Sequence, residues 1–194
     1  LTQYIVPLLV KSSSKKGISK KDFHSVREKY FNFLSSFKAQ EVIFLDKMPL
    51  NFRHIGFIFS SFPEAKVIHM NRDPMATCWS IYKYYFNGNS YSFNQDDLAQ
   101  YYLLYKDLMS FWQKKFPNKI FDISYENLTI NQEYETRRML EYCELDWDEN
   151  CLKFYENKSE VKTTSALQVR QKMYQGSSEV WKKYESYLQP LISG

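Results

Sequence analysis

Glycine is scarce in this 194-residue chain, with five residues at Gly17, Gly56, Gly88, Gly176 and Gly194. A protein of this length ordinarily carries about twice that number or more. No pair has the spacing of GxGxxG or GxxxxGK[ST], so any nucleotide site must do without a glycine-rich cradle, and a kinase with a Walker lysine has no place. Cysteine is sparser still. Cys78, Cys143 and Cys151 form no CxxC and, being three, cannot all pair, which fits a reducing, cytoplasmic setting. No apolar run reaches membrane-spanning length, and Leu1–Val10 is too short and lacks the basic start of a signal peptide. The 26 basic and 22 acidic side chains show no concentrated basic stripe, which argues against a nucleic-acid partner. Internal repeats are lacking too.

Aromatic residues, by contrast, are plentiful: sixteen Tyr, fifteen Phe and four Trp, spread along a chain that is 44% hydrophobic. That composition argues against disorder and for a single domain over residues 1–194 with a sizeable core. Leu1–Val10 reads as helix until Pro7 interrupts it, and Lys11–Ser19 as a Ser/Lys linker. The spacing of Phe23, Val26, Tyr30, Phe33 and Leu34 predicts a helix over Lys21–Phe37. Three short apolar runs, Val42–Leu45, Lys66–Met70 and Lys119–Ser124, predict buried strands. Further helices are predicted over Phe52–Ser61, Pro74–Phe86, Asp96–Lys115, Gln132–Cys143, Asp148–Tyr155 and Ser177–Leu188. Strands separated by helices imply crossover connections and a mostly parallel sheet, an α/β fold.

Ligands of open α/β sheets bind beyond the carboxyl ends of the strands. The first strand is followed by Asp46-Lys47-Met48-Pro49, the second by Asn71-Arg72-Asp73-Pro74 with Ser80 on the next helix, and the third by Tyr125-Glu126-Asn127. A lysine, an arginine with a hydroxyl, and a tyrosine suit an anionic nucleotide: cations for phosphates and an aromatic face for the base. Each residue alone has a plainer reading. Arg72 beside Asp73 reads equally as a structural ion pair, Ser80 as an ordinary helix position, Tyr125 as a core tyrosine and Lys47 as a solvated lysine. Their conjunction favours the functional reading.

Asp46-Lys47-Met48-Pro49-Leu50-Asn51-Phe52, Phe62-Pro63-Glu64-Ala65-Lys66-Val67-Ile68-His69 and Arg72-Asp73-Pro74-Met75-Ala76-Thr77-Cys78-Trp79-Ser80 resemble PAPS-dependent sulfotransferases. The nearest likeness is to bacterial sulfotransferases often fused to TPR repeats, with tyrosylprotein sulfotransferases more distant. Tyr125-Glu126-Asn127-Leu128 resembles the strand-end YE-x-L of that family. Thr163-Thr164-Ser165, Gln168-Val169-Arg170-Gln171 and Trp181-Lys182-Lys183-Tyr184 resemble its C-terminal motif. The likeness departs at Lys172, where proline is common, and at Glu179-Val180, where Gly-Arg is common.

The resemblance implies a P-loop-NTPase-like, three-layer parallel sheet flanked by helices, here lacking its first strand and phosphate loop, so that the chain is the C-terminal portion of a catalytic domain. It implies transfer of a sulfuryl group from PAPS (3′-phosphoadenosine 5′-phosphosulfate) to a hydroxyl-bearing acceptor, with PAP as product and no metal. Arg72 and Ser80 would bind the 3′-phosphate, Tyr125 would sit near the adenine, and Lys47 would face the leaving phosphate and the sulfonate. Arg170, Ser177 and Ser178 would lie where the family closes over the nucleotide. Loops such as Phe86–Asn94 would choose the acceptor. The acidic base of the family is missing; His54 and His69 fall within matched helix and strand segments and read as packed histidines. Activity impaired for want of the cradle is therefore expected. The contrasting expectation is a non-catalytic nucleotide-binding or oligomerising module, with a homodimer formed through an exposed sheet edge.

Overall fold

Helices dominate the computed structural model, which describes residues 1–12, 17–37, 43–86, 88–157 and 168–194 and contains one small parallel sheet. The chain divides into two compact units: residues 1–65 with 108–115, and residues 66–107 with 116–194.

The first unit is built from α1 (Thr2–Ser12), α2 (Lys20–Ser35), a 3-10 turn over Pro49–His54 and α3 (Ile55–Ser61). Pro7, expected to interrupt the first helix, lies inside α1 on its exposed side. An interior proline costs about 3 kcal/mol in lost hydrogen bonding and clash. Its neighbours Ile5 and Leu8 are 1% and 7% exposed and pack with Val26, Ile58 and Phe62. At roughly 1.5–3 kcal/mol for each buried side chain, that packing offsets the proline. Helix α2 starts where the Asp22 carboxylate accepts the Ser19 N–H at 2.8 Å. One expected strand does not form. Val42 lies outside the described residues, and Ile43–Leu45 is irregular backbone, 62%, 41% and 88% exposed. An apolar run becomes a buried strand only when neighbouring strands pair with it.

In the second unit, β1 (Val67–Asn71) pairs in parallel with β2 (Ile120–Ser124), with Val67 opposite Ile120 and Asn71 opposite Ser124. Parallel pairing demands a crossover. Here it contains α4 (Pro74–Tyr82) and α5 (Gln95–Lys115), whose last eight residues belong to the first unit. Helices α6 (Tyr125–Ile130) and α7 (Gln132–Cys143) follow β2. The sheet thus has two strands among the described residues where three are expected. The core of this unit joins Cys78, Leu98 and Ala99 to Leu188 and Leu191 near the C-terminus.

The C-terminal segment, expected as an α-helix, is 3-10 over Ser177–Tyr187 and continues into α8 (Gln189–Ser193). Trp79 of α4 stacks on Tyr184 at 4.6 Å between ring centroids, docking the segment on α4. Gly176, with φ at +85°, turns the chain into it, a conformation that side-chain-bearing residues rarely adopt.

Candidate functional site

The parallel register explains how the site is assembled. Because Asn71 lies opposite Ser124, the residues that follow them leave the sheet side by side. Arg72 and Asp73 therefore meet Tyr125 and Glu126, and the Asp73 amide donates to Glu126 Oε1 at 3.1 Å. Asp73 itself is not the partner of Arg72. Its side chain accepts the Ala76 N–H at 2.7 Å and caps α4, and Arg72 makes no ion pair among the described residues.

The Arg72 guanidinium instead faces the C-terminal segment. Its Nε donates to Ser178 Oγ at 3.1 Å, and its Nη2 donates to the Ser177 carbonyl at 3.0 Å and to Ser177 Oγ at 3.3 Å. The guanidinium carbon lies 4.8 Å from the centre of the Tyr125 ring, a cation–π contact. The circle closes through the Ser177 hydroxyl, which donates to the Tyr125 oxygen at 3.0 Å. Four of the residues singled out in the sequence, Arg72, Tyr125, Ser177 and Ser178, thus gather at one strand edge. No carboxylate among the described residues pairs directly with the guanidinium; that of Glu126 reaches it only through the Ser178 hydroxyl. A guanidinium so placed can offer charged N–H donors to an anion.

Glu126 organises this group, and sequence reasoning gave it no role. Its Oε1 accepts both the Ser178 hydroxyl at 2.5 Å and the Asp73 amide, while Oε2 accepts the Ser124 hydroxyl at 3.3 Å. Burial alone would raise its pKa. The Ser178 hydroxyl, the Asp73 amide and the other donors outweigh that and hold the carboxyl below its ordinary value. The available signal was its place one residue past a tyrosine at a strand end, beside an N-capping Ser124 whose Oγ accepts the Asn127 amide.

The remaining candidates sit elsewhere. Ser80 is half-buried on α4, and its hydroxyl has no hydrogen-bond partner among the described residues. Arg170 is exposed in the 3-10 turn Gln168–Arg170, against the 3-10 segment Glu149–Glu156. The motif residues Thr163-Thr164-Ser165 lie outside the described residues. Lys47 belongs to the first unit, on the exposed stretch before Pro49. Its neighbour Asp46 is fixed there by the Tyr30 hydroxyl at 2.9 Å and the Asn51 amide at 3.2 Å.

The two histidines differ sharply. His54 is buried in the first unit, where burial and then the neighbouring Arg53 hold its imidazole below the usual value. His69, expected as a lone packed histidine, is hydrogen-bonded at both ring nitrogens, to Asp122 and to the Tyr105 hydroxyl.

Near the acceptor loop foreseen at Phe86–Asn94, where Asn87 lies outside the described residues, Tyr91 stacks on Tyr101 with centroids 3.8 Å apart. A cleft of about 290 Å³ opens there between Ser90, Tyr91, Asp97, Gln100, Tyr101 and Leu104. Among the described residues no group of His, Cys, Asp and Glu is arranged to hold a metal ion, and no helix is long and apolar enough to cross a membrane.

Residues 13–149 match the family described as "Sulfotransferase family". The matched stretch includes Lys47, Arg72, Ser80, Tyr125 and Glu126, and it runs through both units. An uncharacterized protein of Aquifex aeolicus (strain VF5) is 34% identical over 172 residues, which cover 87% of this chain and 23% of that protein. The chain thus spans about a quarter of the length of that relative.

Proposed function

The chain belongs to the sulfotransferase family, and we propose that it takes its sulfuryl group from PAPS, passes it to a hydroxyl-bearing acceptor and releases PAP. The observation that carries this reading is the Arg72 fork, which faces Ser177, Ser178 and the Tyr125 ring and makes no direct ion pair among the described residues. In this reading Arg72 holds the 3′-phosphate through charged N–H donors, with Ser80 and the Ser177–Ser178 pair adding neutral ones. Tyr125 offers a ring face to the adenine, and Arg170 closes the C-terminal side. Lys47 neutralises the oxygen that leaves with the 5′-phosphate. Sulfuryl transfer is an in-line displacement through a loose, anionic transition state, akin to phosphoryl transfer, so positioning and charge supply most of the catalysis. In this reading residues 1–194 belong to one sulfotransferase domain. Three free thiols agree with a reducing, cytoplasmic setting.

The cleft beside Tyr91 and Tyr101 supports an acceptor bound against aromatic rings, with Ser90, Asp97 and Gln100 to orient its hydroxyls. Incubation with radiolabelled PAPS and a panel of phenols, sugars and aliphatic alcohols tests the reading. Label moved to an acceptor with matching release of PAP is expected, at a rate impaired for want of the glycine-containing cradle. Label that stays on the donor with every acceptor overturns it.

A second reading is a non-catalytic module that assembles through its sheet, and the exposure of Ile68 and Met70 on one face of β1, 36% and 46%, favours it. It expects a concentration-dependent dimer by sedimentation and no affinity for 3′,5′-ADP.

A further inference from the structure

A cleft of about 440 Å³ lies wholly within the first unit and shares no residue with the nucleotide reading. Its volume falls in the range of small-molecule sites. One wall is a stripe of α2, where Lys20, Phe23, His24 and Arg27 recur at the spacing that sets side chains on one helix face. The facing wall is the C-terminal end of α3 and the turn after it, with Ser61, Pro63 and Glu64.

Arg27 ties the two walls together. Its Nη1 lies 2.5 Å from Glu64 Oε1 and donates to the Ser61 carbonyl at 3.4 Å. Its guanidinium carbon stands 4.9 Å from the ring centre of Phe31 and 5.5 Å from that of Phe62, which holds the side chain in place. Glu64 thus answers the charge of Arg27, and Glu28 faces His24 at 3.2 Å. Lys20 is exposed and has no ion pair among the described residues, so its positive charge is uncommitted. Apolar surface comes from Pro63 and from Phe23, which is half-buried and tilted against Phe57 with centroids 6.3 Å apart.

Ser61 is an independent sign of a ligand. It is 3% exposed, and its hydroxyl makes no hydrogen bond among the described residues. The adjacent Ser60 hydroxyl, by contrast, donates to the Gly56 carbonyl one turn back at 2.7 Å. A buried hydroxyl without a partner is costly, and native structures seldom keep one without a reason. Because Ser61 lines the cleft, a turn about its χ1 lets the hydroxyl donate to a group bound there.

We propose that this cleft binds a small aromatic carboxylate. The ring lies against Phe23 and Pro63, and the carboxylate is taken by Lys20 Nζ and the Ser61 hydroxyl. One uncommitted cation matches one negative charge, whereas a phosphate dianion would set a second negative charge beside Glu64 with no cation to answer it. The site does not depend on sulfuryl transfer, and its test uses no PAPS.

The probe is 2-naphthoate, titrated into the ¹⁵N-labelled chain and followed by amide chemical shifts, with 2-naphthamide as its uncharged isostere. The amide signals of Phe23, Ser61 and Glu64 should move, and the carboxylate should bind about 5- to 30-fold more tightly than the amide. Lys20→Ala and Ser61→Ala should each weaken 2-naphthoate by about 3- to 10-fold, and Lys20→Ala should leave 2-naphthamide unchanged. Since the Ser61 hydroxyl has no partner to lose, Ser61→Ala should melt no lower than wild type.

Equal affinity for the two probes overturns the proposal, as do shifts that miss Phe23, Ser61 and Glu64, or no binding of 2-naphthoate at all. Undiminished 2-naphthoate affinity in Lys20→Ala or in Ser61→Ala also overturns it. A lower melting temperature for Ser61→Ala would mean that the hydroxyl is already satisfied in the free protein, and the site as drawn would fall.

Discussion

At Glu126 a single carboxylate collects the Ser178 hydroxyl, the Asp73 amide and the Ser124 hydroxyl, and so ties three segments of the chain together. Its pKa is held below the ordinary 4.5. A depressed carboxylate contributes stability that is present above its unfolded-state value and lost as pH falls through the folded one. Melting temperature should therefore drop as wild type is acidified below about 4.5, and Glu126→Gln should show a shallower drop across that window. Parallel acid curves for the two proteins would contradict the assignment. Much of this site was legible in single residues, because Arg72 and Tyr125 stand directly after apolar runs with strand character. Glu126 was not, since a carboxylate at a strand end announces no role until the donors around it are known. Nor could sequence decide between ion pair and anion site for Arg72. The capping bond of Asp73 to Ala76 removes the ion pair with Asp73, and the anion site is the proposal that remains.

Elements were legible where periodicity ran long. Gln132–Cys143 and the 3.6-residue stripe of α5 formed as expected, and β1 and β2 formed within a residue of their apolar runs. The run at Ile43–Leu45 did not, because strand character in one segment says nothing of the partner that must pair with it. The C-terminal 3-10 segment escaped notice because its helical spacing resembles that of an α-helix, while its start is set by the backbone of Gly176. Beyond its chain neighbours no described residue has an atom within 4 Å of where a Cβ would stand on Gly176, so the cost of Gly176→Ala comes from its φ, about 1–2 kcal/mol. That corresponds to a melting temperature lower by about 2–8 °C, with weaker 3′,5′-ADP binding as Ser177 and Ser178 shift. An unchanged melting temperature would rule out the strained turn. Gly56 fails for a different reason. A Cβ there would meet Trp112 Cη2 at 2.8 Å, and the indole is held by its N–H to the Phe52 carbonyl at 2.8 Å. Gly56→Ala should cost about 1–3 kcal/mol in denaturant unfolding, whereas Ala at Gly56 without loss would mean that the indole yields.

Over the whole molecule, composition set outer bounds. Five glycines exclude a glycine-rich cradle within these residues, and the anion site proposed here is made instead of an arginine, two serines and a tyrosine that the structure brings together. Family membership spans both units, so Lys47 in the first and Arg72 in the second fall within one matched stretch. What the α/β pattern could not reveal was the size of the sheet, two strands among the described residues, because the number of strands depends on pairing rather than on the apolar runs themselves. The central claim is that this molecule recognises a nucleotide by a 3′-phosphate held on Arg72. Calorimetric titration of wild type and Arg72→Ala with 3′,5′-ADP and with 5′-AMP tests it most directly. Hydrogen bonds to a charged group contribute roughly 1.5–3 kcal/mol, so wild type should bind 3′,5′-ADP about 10- to 100-fold more tightly than 5′-AMP. In Arg72→Ala that advantage should vanish. Equal affinity of wild type for the two nucleotides, or an advantage that survives the loss of Arg72, would contradict the account.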